Sequence, residues 1–205
     1  MTAKRKGPMT LDQLYAQLKA EGRYDAMVER HRQQDEERQK RVAELLKAQA
    51  PLLADLRAAG YEMESVWDLV NTAIPYPKAL PVLLEHLPRP YPGRVREGIA
   101  RALAVPEARF AWDLYTRYYR EEPDGGVKEG MAAAIAVMGR TEERINEVIA
   151  LARDRRNGQS RILLLRALSR SRDPRARAAL VELQADPELM PEITAILRRL
   201  KPRKR

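Results

Sequence analysis

Apolar residues along this 205-residue chain recur three and four positions apart, the period of a helix buried along one side. The pattern is not uniform. Residues 10–20, TLDQLYAQLKA, predict a short amphipathic helix with Thr10 as its N-cap. Residues 25–50 are very polar and free of Gly and Pro, with sparse apolar positions until Val42, Leu45 and Leu46. They predict one long exposed helix supported by i,i+4 charge pairs such as Glu37–Arg41. A sustained a/d heptad is missing, so a coiled coil is weakly signalled. Pro51 kinks or restarts that helix, and Gly60 stops the next one.

From residue 61 short apolar-periodic segments alternate with Pro, Gly and Asp breaks. ESVWDLVN (64–71), YPKALPVLLEHL (76–87), YPGRVREGIARAL (91–103) and PEARFAWDLYTRYYR (106–120) come first. DGGVKEGMAAAIAVMG (124–139), TEERINEVIALARD (141–154), NGQSRILLLRALSRS (157–171), DPRARAALVELQAD (173–186) and PELMPEITAILRRL (187–200) follow. One helix is written three times: VREGIARAL at 95–103, VKEGMAAAI at 127–135 and SRILLLRAL at 160–168. Arg96, Lys128 and Arg161 are equivalent, at separations of 32 and 33 residues. A fixed period of this length predicts an array of helix pairs, because one pair cannot bury its own apolar faces and stacked pairs bury each other's. In the second helices, Phe110 and Leu114 lie on one side and Trp112, Tyr115 and Tyr119 on another. Two stripes predict burial on two flanks.

These residues resemble HEAT repeats, closest to the short HEAT-like type named after phycobilisome lyases. In that type a helix opens near a Val-Arg pair and runs through small residues to an Ala-Leu. PRARAALVEL (174–183) and INEVIALARD (145–154) fit the partner helix. The resemblance covers about residues 61–200. It implies an all-α, right-handed, armadillo-type α-solenoid of HEAT-like helix pairs, here with a long polar N-terminal helix. The expected organisation is an N-terminal helical segment over 1–60, repeats over 61–200 and a basic tail over 201–205. Proteins that this chain resembles are mostly scaffolds for proteins or nucleic acids, and a few attach chromophores or excise alkylated bases. Fold alone does not choose among these.

Composition narrows the field. There is no Cys and no run of about 18 apolar residues, so disulfides, thiolate chemistry and a membrane span are not expected. The basic start MTAKRKGPMT has no apolar stretch after it, so a secretory leader is not expected and the cytoplasm is the simplest location. His31 and His86 stand apart, read as surface histidines, and imply no zinc. No phosphate loop or nucleophile elbow is present. The Gly125–Gly126 pair relaxes a turn. No metal, cofactor or catalytic set is expected.

Charge points to a partner. The net charge is +9, and residues 140–205 hold 17 Lys/Arg against 9 Asp/Glu. Arg153, Arg155, Arg156 and Arg161 surround one inter-helix turn, and Arg170, Arg172, Arg175 and Arg177 the next. If successive turns lie side by side, they form one basic ridge for nucleic acid or an acidic partner. The alternative is a solvated edge balanced by Asp154 and Asp173. Trp112, Tyr115 and Tyr119 read either as core or as a surface aromatic platform on which bases stack. Trp67–Asp68 and Trp112–Asp113 are the only residues to suggest base excision. The expectation is a non-enzymatic scaffold or adaptor for another macromolecule, a protein first and nucleic acid second, with a HEAT-like DNA glycosylase last. The N-terminal helix either caps the repeats or pairs two copies, giving a monomer or a dimer.

Overall fold

The computed structural model describes residues 9–200. The basic residues before Met9 and the tail KPRKR at 201–205 lie outside them. The described residues form twelve α-helices and two 3₁₀ turns, with no strand. The chain divides into two compact units, residues 1–44 and 45–205.

The first unit holds helix α1 (Leu11–Ala20) and most of α2 (Tyr24–Ala48). Thr10 caps α1 as its sequence predicts: its hydroxyl accepts the Gln13 N–H, and the Gln13 side chain accepts the Thr10 N–H. Neither helix buries a side chain. Helix α2 is held along its surface by Arg32, which bridges Glu29 at 2.7 Å and Glu36 at 2.8 Å. The expected Glu37–Arg41 pair is not among its ion pairs.

The second unit begins earlier than the sequence boundary near residue 61. Leu52 and Leu56 of α3 (Ala50–Ala58) are fully buried, and α3 packs on α5 (Ala79–His86). Pro51 sits in the first turn of α3, and Gly60, with φ of +95°, follows its end. The remaining helices are α4 (Trp67–Asn71), α6 (Gly93–Ala102), α7 (Trp112–Glu121), α8 (Gly125–Met138), α9 (Ile145–Arg153), α10 (Arg161–Arg170), α11 (Pro174–Leu183) and α12 (Met190–Leu200). The 3₁₀ turns at Pro106–Ala111 and Arg155–Ser160 precede α7 and α10.

Alternate helices pack on one another: α4 on α6, α6 on α8, α8 on α10 and α10 on α12. A second set packs against them, with α7 on α8, α9 on α10, and α11 on both α9 and α12. One continuous apolar core runs from Leu52 to Ile196. Small residues allow the close approaches. A Cβ on Gly98 would lie 2.6 Å from a Val66 methyl, and one on the equivalent Gly130 would lie 3.0 Å from the Ala100 Cβ. Asp124 and Asp173 cap α8 and α11 by accepting the N–H groups of Val127 and Arg175.

The two-stripe expectation for the second helices is corrected. Phe110 belongs to the 3₁₀ turn and is 63% exposed, whereas Trp112, Tyr115 and Tyr119 are buried. Helix α7 buries one stripe, because its neighbours cover one side.

Candidate functional site

The repeated cation at the start of each first helix is structural. Arg96 forks the carboxylate of the buried Glu122, at 2.5 and 3.1 Å. Arg161 is fully buried and bonds Asp186 at 2.8 Å, Glu188, and the carbonyl of Gly158 at 3.0 Å. Lys128, between them in the series, is buried with its ammonium 5.3 Å from the Tyr119 ring. Burial holds that ammonium below the ordinary lysine value, against the attraction of Asp154 and Glu122. Two of the three cations therefore bond an acid about 25 residues downstream, Arg96 with Glu122 and Arg161 with Asp186, while Lys128 makes no ion pair among the described residues.

These contacts correct the expected basic ridge at Arg161 and give its neighbours surface ion pairs. Arg161 is interior, not surface. Arg153 pairs with Glu182 at 2.5 Å, Arg155 with Asp186 at 3.5 Å, and Arg156 with Asp154 at 2.7 Å. The first Arg cluster is largely neutralised. Nor do the two clusters adjoin. Arg161 opens α10 and Arg170 closes it, and a ten-residue helix is about 15 Å long. Successive turns in this chain lie at opposite ends of the helix between them.

The second cluster keeps its charge. Arg175 is held by Asp173 at 2.6 Å. Arg170, Arg172 and Arg177 are exposed and have no ion pair among the described residues. Two residues that the sequence reading passed over join them. Arg166 lies one turn before Arg170 on α10, and Arg140 follows the end of α8. Neither has an ion pair among the described residues. Burial, then the nearby Arg170 and Arg166, hold the Arg140 guanidinium below the usual arginine value. Between α10 and α12 lies a groove of about 400 Å³, lined by Arg166, Ser169, Arg170, Glu192, Ile196, Arg199 and Leu200. Arg199 donates to Glu192 at 3.3 Å. The like-charge Arg166–Arg170 pair at i,i+4 was the available signal, since such a pair destabilises an isolated helix.

The aromatic platform is corrected too. Tyr115 donates to the Ala100 carbonyl at 2.7 Å, Tyr119 shares a hydrogen bond with Ser160 at 2.7 Å, and Trp112 donates to Glu147 at 2.7 Å. Burial pushes the Tyr119 phenol up to about 12, against the Ser160 hydrogen bond and Arg161. All three rings are core, so none offers a face to a base. Asp68 accepts the N–H groups of Glu64 and Ser65 at 3.0 Å, and Arg94 stacks 3.6 Å over Trp67. These contacts give both tryptophans and Asp68 structural work. His86, expected on the surface, is fully buried and joins Tyr91 at 2.7 Å and Asp55 at 2.8 Å.

Among the described residues no three His, Asp or Glu side chains gather as a metal site, and no helix is long and apolar enough to cross a membrane. No family model matches the chain, and no curated protein or solved structure does either.

Proposed function

We propose that residues 61–200 form a right-handed solenoid of HEAT-like helix pairs, and that the chain is a non-enzymatic scaffold binding another macromolecule, a protein first. The solenoid reading is supported by the recurrent cation–acid brace and by the succession of contacts from α4 to α12. The binding reading is carried by one observation: unpaired guanidiniums gather at the groove between α10 and α12 and around it, while the other cluster is neutralised. Unpaired like charges repel one another, and an anionic partner relieves that repulsion.

The second reading is nucleic-acid binding on the same edge, favoured by Arg172 and Arg177 extending the charge beyond the groove. The two separate by salt. Duplex binding should weaken by orders of magnitude between about 50 and 200 mM salt if several phosphates are contacted. A protein interface with an apolar centre should weaken far less. Crosslinking of the intact chain in its native extract, with an Arg166→Glu/Arg170→Glu variant beside it, tests the scaffold reading. A protein partner retained by the parent and lost by the variant supports it, and no crosslinked partner in either sinks it.

A further inference from the structure

The groove between α10 and α12 combines cations with aliphatic surface, and that combination selects a ligand. Arg166 and Arg170 are four residues apart, on one face of α10. Both are exposed, and neither has an ion pair among the described residues. On the α12 side the groove is lined by Ile196, which is buried, and Leu200, 37% exposed. Glu192 already occupies part of the lining and accepts a hydrogen bond from Arg199. The groove thus holds one carboxylate against one guanidinium and keeps two guanidiniums over.

We propose that this groove receives an acidic protein segment, its carboxylates forked by Arg166 and Arg170 and a neighbouring aliphatic side chain resting on Leu200. The inference rests on the scaffold reading above and specifies the partner's chemistry. Three considerations favour it. Guanidinium and carboxylate match as planar, two-point partners. The α10 C-terminus contributes a negative dipole end of about half a charge, which two unpaired arginines more than offset, and Arg140 adds to their field. An aliphatic lining has no counterpart in a phosphodiester backbone, whereas an amphipathic segment presents acidic and aliphatic side chains together.

The test uses the full chain and a fluorescein-labelled peptide of about 20 residues, above the length of about 12–15 at which isolated helices are marginal in water. The peptide carries Glu and Leu at i,i+4 spacing, and a Gln-for-Glu copy and a short DNA duplex are the comparison probes. The expected result is saturable binding of the Glu peptide, weakened about tenfold or more in Arg166→Glu/Arg170→Glu. Leu200→Ser should weaken it about threefold and leave its salt dependence alone. Arg153→Glu/Arg156→Glu alters net charge equally but lies at the other end of α10, so it should change affinity by less than about twofold. Arg166→Ala/Arg170→Ala, with both side chains exposed, repeats the loss should the reversal disturb folding. Equal weakening by both reversals would reduce the effect to net charge and overturn the proposal. So would equal binding of the Gln peptide, or duplex binding tighter than peptide binding and lost with the groove. A protein crosslinked equally by parent and reversed variant leaves the scaffold reading standing and removes this groove alone.

Discussion

Arg161 carries a charge in full burial, and its surroundings make that tolerable. Two carboxylates and the Gly158 carbonyl take its N–H groups. No buried side-chain nitrogen or oxygen among the described residues lacks a partner. Replacing Arg161 by Leu removes the bonds and leaves Asp186, which is 7% exposed, with only the Glu188 N–H and the longer 3.5 Å contact to Arg155. We expect a loss of about 3 kcal/mol in chemical denaturation, the range for breaking a buried pair from one side. Lys at the same position should recover only part of it, since an ammonium lacks the planar fork. The pair also sets a pH dependence. Arg161 holds the Asp186 carboxyl below its ordinary 3.8, aided by the Glu188 N–H and opposed by desolvation. A depressed folded value stabilises above the unfolded value and is lost as pH falls through the folded one. Thermal melts taken from about pH 5 downward should therefore fall more steeply for the parent than for Asp186→Asn. Parallel curves would show that the pair contributes nothing to acid stability.

At the scale of elements, two glycines, one in α6 and one opening α8, separate packing from propensity. Gly98 lies where α6 meets α4, and an added methyl would meet Val66 at 2.6 Å and the Trp67 indole nitrogen at 2.9 Å. Val66 is fully buried and has nowhere to move. Gly98→Ala should cost about 1–3 kcal/mol despite better helix propensity. Gly125 opens α8 with nothing within 4 Å of its added Cβ, so Gly125→Ala should be neutral or stabilise by up to about 1 kcal/mol. Urea midpoints of the two variants should move in opposite directions or by very different amounts. The sequence showed both glycines equally. It placed the repeated Gly98 and Gly130 in register but not against what they pack. Helix positions followed more directly from the pattern, because Asp124, Asp173 and Pro174 act within a turn of their own place in the chain.

For the whole molecule, the two units predict unequal contributions to stability. Neither α1 nor α2 buries a side chain, and an isolated polar helix is marginal in water. A chain beginning at Leu45 should keep a cooperative melt with a midpoint close to the parent's, measured by circular dichroism. Loss of cooperativity would mean that residues 9–44 complete the core. Charge behaves differently at this scale from its tally. The last third of the chain carries most of the net +9, yet ion pairs quench it at one end of α10 and leave it at the other.

The sequence by itself determined that the described residues are helical and where most helices end, for these depend on neighbours three or four residues away; the 3₁₀ turn at Pro106–Ala111 was not among the breaks it gave. It also determined that an Arg-rich region exists. Only the tertiary structure decided which arginines are free. Arg161 and Arg166 differ by five positions in one helix, and one is wholly interior while the other lines an open groove. The difference comes from Asp186 and Glu188, which return beside Arg161 only after α10 and α11 have crossed the unit twice. Ion pairing falls off steeply with distance and burial, so it is settled by contacts across the fold, which a count of charges along the chain does not contain.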